Sequence, residues 1–317
     1  MHWRPTWRQA LSSLFAPWIW LAGVAAFAAP TAADRFSVDM GVGHESQTSP
    51  LFQLTPNSTV VYLGGPQRLG GSHLQAHVQG FYGFSLEDGL SASLAGNAML
   101  KRSPQTPDLD FSFLSLQPTL HLPLKNFNID FGLNLQRIDV AGQRFRDIHG
   151  VQANWTRFDG KNLWAMVGET GSYRHKGELT DLDAQASSLV LQRHLSQPLK
   201  GVDGLDLSLI VGRERNERGF RDLSHRSAMF NASLQWAWLG ASWSAGAGWR
   251  RAQFDDKAFP SEPERIDRGK NIDLMAEWPL SSRQALSVQV NDIRNTSSTR
   301  LYNNHYRQLG VTLHTSW

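Results

Sequence analysis

The sequence predicts an all-β fold, a transmembrane antiparallel β-barrel of the outer membrane with about 14 strands. Three observations lead to this prediction. Apolar residues occupy alternate positions in segments throughout the chain, short and long connections alternate between those segments, and an apolar run with the layout of a secretory signal stands at the start. Outer-membrane barrels combine strands that alternate in this way with short periplasmic turns and longer extracellular loops.

Residues 1–28 are predicted to form a signal peptide, which leaves 29–317 as one barrel domain. Arg4 and Arg8 precede an apolar run that ends in the small-residue cleavage pattern of 26–28, and 31–33 is a second candidate cleavage site. A retained membrane anchor is the alternative, but the run is short for a membrane span and is interrupted by Pro17. We therefore expect the cleaved chain to reside in the outer membrane of a Gram-negative bacterium.

The composition excludes several classes of protein. The chain has no Cys, so it has no lipoprotein processing site and cannot form the disulfide bonds of a small secreted scaffold. Its formal net charge of +3 is too small for a nucleic-acid footprint, so no nucleic-acid partner is expected. No metal-ligand spacing or cofactor motif is found, and we expect neither a metal nor a cofactor.

The alternating segments separate an apolar set of residues from a polar set. The clearest of them are 35–47, 127–136, 205–211, 241–249, 286–291 and 306–317. Their polar positions hold mostly Asn, Ser, Gln and Gly, and several apolar positions hold Trp. A soluble sandwich, the alternative, would expose a polar face rich in Lys and Glu. The pattern favours a wet lumen and a lipid-facing exterior, with Ser208 inside and Leu209 outside.

The connections between segments sort into two kinds. The short ones are predicted at 86–89, 123–126, 158–161, 196–204, 238–240 and 279–283. The long polar ones are predicted at 47–72, 101–110, 138–147, 174–183, 213–226, 253–270 and 294–304. Their strict alternation gives an even strand number with both chain ends at the periplasm. Boundaries read from a pattern shift by a few residues, so about 12 or 16 strands fit as well.

The last segment, 306–317, is predicted to pair with the first, because closure removes both free strand edges. Its apolar positions end on an aromatic residue, as in the signal by which the barrel assembly machinery selects its substrates. We predict that this membrane-insertion signal comprises Tyr306, Gly310, Val311, Leu313 and Trp317.

Two charged stretches are candidates for contact with a partner. The predicted outer loop 253–270 mixes both signs of charge around two prolines, and 213–222 is rich in Arg and acids. Either could bind a partner or the phosphates of lipopolysaccharide, and the alternative is a solvated loop. The candidate partner residues of the first loop are Asp255, Asp256, Glu262, Glu264, Arg265 and Arg268.

Catalysis has one candidate in the sequence, where His44 and Ser46 flank Glu45. A Ser with a His base would suit a lipid hydrolase. A catalytic triad is assembled across the fold, however, rather than by neighbours on one strand. We therefore predict no catalytic residues and no enzyme activity.

Two stretches resemble the barrel of the surface lipoprotein assembly modifier (Slam) family. "GVGHESQTSP" resembles the opening of that barrel, with His44, Glu45 and Gln47 in place of Tyr, Asp and Asn. "NDIRNTSSTRLYNNHYRQLGVTL" resembles its last hairpin through Asn295, Ser297, Ser298, Leu301, Tyr302, Tyr306, Arg307 and Gly310. The family's tetratricopeptide region is not expected here.

The resemblance implies a 14-stranded barrel that helps an exported protein reach the cell surface. The predicted partners are therefore that exported protein, the barrel assembly machinery, outer-membrane lipid and lipopolysaccharide. A passive porin for small solutes is the first alternative function, and a barrel lipid hydrolase is the second.

Overall fold

A computed structural model describes residues 35–54, 60–257, 262–299 and 302–317, and the predicted signal peptide lies outside them. These residues form a closed antiparallel barrel of 14 strands, which confirms the predicted fold class and strand number. The strands are β1 (Arg35–Leu54), β2 (Val60–Ser85), β3 (Ser91–Arg102), β4 (Phe111–Pro123), β5 (Asn128–Val140), β6 (Gln143–Asp159), β7 (Asn162–His175), β8 (Ala184–Leu199), β9 (Val202–Asn216), β10 (His225–Trp238), β11 (Ala241–Phe254), β12 (Ile266–Pro279), β13 (Gln284–Ser297) and β14 (Asn304–Ser316).

Every strand pairs with its two neighbours in sequence, and β14 pairs with β1 to close the wall. We call the end that carries Arg35 and Trp317 the lower end, which is the predicted periplasmic end, and the opposite end the upper end. Short 3-10 helices lie at Glu87–Gly89, Pro107–Leu109 and Gly177–Leu182. Among the described residues no helix is long and apolar enough to cross a membrane.

The apolar set of each strand faces outward and forms a continuous exposed band. Leu209 is 41% exposed, Ile272 65%, Leu309 50% and Met40 63%. Exposure of so many large apolar side chains would be unfavourable in water, and hydrocarbon removes that cost. The barrel therefore has the exterior of a transmembrane protein, while its small and polar residues face the lumen.

Close backbone approach and an aromatic contact support the closing seam. Gly43 lies opposite Gly310, and a Cβ added at Gly43 would lie 2.7 Å from the backbone carbonyl oxygen of Leu309. At the lower end the backbone N–H of Trp317 donates to the backbone carbonyl of Phe36 at 2.9 Å. The ring centroids of these two residues are 5.6 Å apart. The predicted pairing of last and first segments is thus confirmed.

The lengths of the upper connections differ from prediction in two places. The predicted loop 138–147 is a tight turn at Ala141 and Gly142, both with positive φ, as in the preferred two-residue hairpin turns. Strand pairing also extends through most of the predicted loop 47–72, with an irregularity between Pro50 and Phe52.

The physical reason at 138–147 is an apolar cluster on the inner wall above the membrane band. Ile138 is fully buried, and it packs with Phe145, Ile148 and Tyr173. Burial of these side chains favours an extended β5–β6 hairpin, although the polar residues between them read as a loop in the sequence.

Candidate functional site

The lower lumen holds three groups in which a His lies directly opposite an Asp on the next strand. In the first group, Asp39 of β1 lies opposite both His77 of β2 and His314 of β14. Asp39 Oδ2 is 2.8 Å from His77 Nδ1, and its Oδ1 contacts His314 Nδ1. His77 Nε2 is 2.8 Å from Asn97 Oδ1. The group therefore links four strands around the seam.

The second group spans β3 to β6. His121 lies opposite Asp130, with His121 Nδ1 2.9 Å from Asp130 Oδ1. His121 Nε2 is 2.7 Å from Ser93 Oγ. Asn154 Nδ2 donates to the other oxygen of Asp130 at 3.0 Å. Ser93, His121 and Asp130 thus have the connectivity of a Ser–His–Asp triad.

The third group repeats the arrangement on β8 to β10. His194 Nδ1 is 2.8 Å from Asp206 Oδ1, and His194 Nε2 is 3.2 Å from Ser196 Oγ. Gln235 Nε2 donates to Asp206 Oδ2 at 3.0 Å. The Ser196 hydroxyl donates instead to the Lys161 carbonyl at 3.0 Å.

The triad-like contacts of Ser93 have a non-catalytic explanation. Ser93 lies within the ladders of β3 with β2 and β4, where backbone amides are used in strand pairing rather than left free for an oxyanion. Only 6% of Ser93 is exposed. The same His–Asp pairing recurs at Asp39 without a serine. The feature that the three groups share is therefore a network of hydrogen bonds between polar side chains on the lumen wall.

The sequence candidates for catalysis lie on two faces of β1. His44 and Ser46 share the outward positions of Met40 and Val42, which are 63% and 53% exposed. Glu45 faces the lumen and is 1% exposed. The wall therefore separates the acid from the other two side chains.

Acids dominate the remaining charges of the lower lumen. Its inward positions carry Asp39, Asp130, Glu169, Asp206, Asp273 and Glu277. Among the described inward positions of this half, Arg35 at the lower rim is the one Arg or Lys. Glu169 accepts a hydrogen bond from Asn134 at 2.7 Å, which leaves its charge uncompensated. The lower lumen therefore has an excess of negative groups.

In the upper lumen, in contrast, two buried acids have basic partners. Glu45 accepts bonds from Lys101 Nζ at 2.9 Å to each of its oxygens, from the Tyr306 hydroxyl at 2.9 Å and from Ser103 Oγ at 3.3 Å. A buried carboxylate needs such donors, since burial without them is costly.

A second upper cluster surrounds Arg265, which is 3% exposed. Its guanidinium donates to Asp267 at 3.1 and 2.7 Å and lies 3.9 Å from the ring centroid of Phe254 and 3.3 Å from that of Tyr302. Burial raises the pKa of Tyr302, which lies in the connection 298–303. Arg265 was predicted to contact a partner, but its side chain is buried between Phe254 and Tyr302 in the upper connections.

The other predicted site residues lie in different environments. Val311, Leu313 and Trp317 face outward and are 37%, 38% and 58% exposed, whereas Tyr306 and Gly310 face inward. Asp256 and Glu264 are exposed in the connection after β11, and Arg268 lies on the outward face of β12. Leu301, part of the family resemblance, lies outside the described residues.

The His–Asp groups were not found from the sequence. Each partner falls on an inward position of an alternating strand, but their contact depends on the register between strands. A signal was nevertheless present, because His and Asp recur on the polar positions near predicted lower turns. In the part of the chain that the structure describes, no cluster of His, Asp and Glu has a metal-binding arrangement.

No family model and no curated protein matches this sequence. Solved structures do match in fold. The trimer form of OmpT, an outer membrane protein of Vibrio cholerae, is 9% identical with a TM-score of 0.51 and covers 90% of this chain and 100% of its own. OpdK of Pseudomonas aeruginosa with vanillate is 10% identical with a TM-score of 0.42, covering 90% and 99%.

An anion-selective porin from Comamonas acidovorans is also similar, with 10% identity, a TM-score of 0.47 and coverage of 90% and 98%. At identities this low, likeness extends to the fold alone. By its fold, therefore, the chain is an outer-membrane β-barrel.

Proposed function

We propose that the chain is a passive channel for small solutes that prefers cations. The observation that carries this proposal is the excess of acids over Arg and Lys in the lower lumen. Rings of carboxylates attract cations and repel anions, because the low-dielectric wall focuses their field across the pore. In the upper lumen, Glu45 and Asp267 are paired with Lys101 and Arg265, so these four charges contribute less to this field.

The His–Asp groups support the same function by holding carboxylates on the wall. Each Asp accepts two bonds, which come from two His at Asp39 and from one His and one amide side chain at Asp130 and Asp206. At Asp206, whose side chain is 44% exposed, a carboxylate held in this way is accessible to a passing ion. This geometry suits selection by charge better than capture of one ligand.

Assistance in protein export, the leading sequence interpretation, remains a prediction. It rests on the family resemblance. Two residues that carry this resemblance, Tyr302 and Tyr306, contact Arg265 and Glu45 in the structure. These contacts stabilise the barrel itself and do not favour export over conduction. Loss of one secreted protein from the medium or cell surface of a deletion strain would favour export.

Asp273 and Glu277 provide the sharpest test of cation preference, since neither has a hydrogen bond or ion pair among the described side chains. In planar bilayers under a KCl gradient, we expect the wild-type reversal potential to have the sign of a cation-selective pore. The double variant Asp273→Asn/Glu277→Gln should move it toward zero. The matched control Glu264→Gln, on the exposed upper connection, should leave it unchanged.

Three results would contradict the proposal. The first is an absence of conductance from correctly folded wild-type barrel. The second is anion preference in the wild type. The third is an equal change in reversal potential for the lumen variant and the control.

A further inference from the structure

A row of basic side chains follows the upper outer surface from β9 to β14. We call these residues the basic row: Arg213, Arg215, Arg226, Arg251, Arg268, Lys270, Arg294 and Arg307. All are exposed, with side-chain exposures of 47% at Arg213, 60% at Arg294 and 59% at Arg307.

The basic row borders the apolar band on its upper side. Arg213 follows the outward Val211, which is 41% exposed, and Arg251 follows Trp249, which is 42% exposed. Lys270 precedes Ile272 on the same face of β12. The charges therefore lie where the acyl chains of a surrounding lipid would end and its headgroup would begin.

Like charges lie directly opposite one another along this row. The cross-strand pairs are Arg213 with Arg226, Arg251 with Arg268, and Lys270 with Arg294. Opposed like charges on paired strands are destabilising. The arrangement becomes favourable when an anion lies between them.

The protein itself supplies few such anions on this side. Asp292 is shared by Arg294 at 3.1 Å and Arg307 at 2.8 Å, and Asp255 lies 3.8 Å from Arg213. Among the residues that the structure describes, Arg226, Arg251, Arg268 and Lys270 have no carboxylate within ion-pair distance.

The opposite side of the barrel differs in this respect. Arg102 pairs with Asp110 at 2.8 Å and Arg137 with Asp139 at 3.1 Å. Arg144 pairs with Asp147, and Arg174 pairs with Asp183 and Glu217. These four Arg residues at the upper end of β3 to β7 thus have carboxylate partners in the protein, whereas most of the basic row does not.

We propose that the basic row binds the phosphate groups of a phosphorylated glycolipid of the outer leaflet. Arg is well suited to this task, since its planar guanidinium donates two parallel hydrogen bonds to phosphate. The acyl chains would lie against the apolar band below, next to Trp249 and Ile272. This double contact selects a lipid rather than free phosphate. The proposal is independent of what the lumen conducts.

The test compares two matched triple variants in detergent. Arg226→Gln/Arg251→Gln/Arg268→Gln removes unpaired charges of the basic row, and Arg102→Gln/Arg137→Gln/Arg174→Gln removes the same charge from the paired side. Purified lipid A, its dephosphorylated form and inorganic phosphate are the ligands. Native mass spectrometry measures retained lipid, and the loss of heat modifiability measures stability.

We expect wild type and the paired-side variant to retain lipid A and gain thermal stability with it. The basic-row variant should bind at least about tenfold more weakly, as expected when several charge-assisted bonds are lost. Without lipid, this variant should be as stable as wild type or more so, because the opposed charges are gone. That result separates lost binding from misfolding.

Equal retention of lipid A by the two triple variants would overturn the proposal. Equal binding of the dephosphorylated lipid by wild type would show that the acyl chains alone are recognised. Equal stabilisation by inorganic phosphate would reduce the site to a nonspecific anion patch, and the glycolipid assignment would fail.

Discussion

Ser208 and Leu209 are neighbours in the chain that face opposite sides of the wall. Leu209 is 41% exposed and lies beside Phe230 and Leu191 on the adjacent strands. Ser208 accepts a hydrogen bond from Asn231 at 3.2 Å inside the lumen. The alternation of polar and apolar residues was enough to predict this assignment, because side chains along a strand have a period of two.

We predict that Leu209→Arg destabilises the barrel by ~2–4 kcal/mol, the usual cost of an Arg facing lipid near mid-membrane. Ser208→Arg should cost much less, since a lumen Arg remains hydrated. Unfolding titrations in lipid vesicles measure both variants. Greater destabilisation by Ser208→Arg would mean that the assignment of faces is inverted.

Glu45 is a buried carboxylate in the lumen wall, and its contribution to stability depends on its hydrogen-bond and ion-pair partners. We predict that Glu45→Ala costs ~3–5 kcal/mol, because it leaves the Lys101 ammonium buried without a counter-charge. Glu45→Ala/Lys101→Met should recover most of that loss. Equilibrium unfolding of both variants checks this expectation. If the double variant were no more stable than the single one, the pair would not be coupled as proposed.

At the scale of single elements, β14 closes the wall and ends against β1. Of the residues in the predicted insertion signal, Val311, Leu313 and Trp317 face outward, while Tyr306 bonds to Glu45 inside. The sequence showed which positions alternate, but it did not show that Tyr306 has a separate partner across the seam.

We predict that deletion of Trp317 lowers the yield of assembled barrel in the outer membrane several-fold. The contact of Trp317 with Phe36 and the backbone bonds between them explain the loss. Trp317→Phe keeps an aromatic ring and the same backbone bonds, so it should assemble normally. Fractionation followed by heat-modifiability gels measures the yield, and an unchanged yield on deletion would refute the insertion-signal interpretation.

Some of the connections between strands were predicted from the sequence and others were not. The short lower turn near Leu239 and Gly240 was predicted well, because few residues separate two strongly alternating segments. The turn at Ala141 and Gly142 was missed, since its hairpin is held by an apolar cluster assembled from several strands. Burial of Arg265 was missed for the same reason, as Phe254 and Tyr302 approach it from separate strands or loops.

At the scale of the whole molecule, strand number and closure followed from counting, whereas the lumen chemistry did not. The His–Asp groups depend on which residues lie opposite each other, for example His121 and Asp130. Register is a property of paired strands, and a single strand carries little information about it. The contacts between polar side chains on the inner wall therefore required the three-dimensional structure.

The native chain has no Cys, so single-Cys variants report membrane topology directly. We predict that Asp256→Cys, on the upper connection after β11, reacts with an impermeant maleimide on intact cells. Leu239→Cys, in a lower turn and 73% exposed, should react only after lysis. Labelling of Leu239→Cys on intact cells would place the barrel upside down and would also remove the glycolipid proposal for the basic row.

The seam between β1 and β14 has a further consequence for the order of the chain. Phe36 and Trp317 lie side by side, joined by backbone hydrogen bonds, so a short peptide linker can connect them without strain. Once they are joined, the wall is a ring in which any lower turn, such as the one at Leu239, can serve as the new opening. A circularly permuted chain would keep every strand pair and every lumen charge while placing a different strand last. Such a chain separates what the finished barrel requires, which is a closed ring of pairings, from what its biogenesis requires, which is a particular strand at the end.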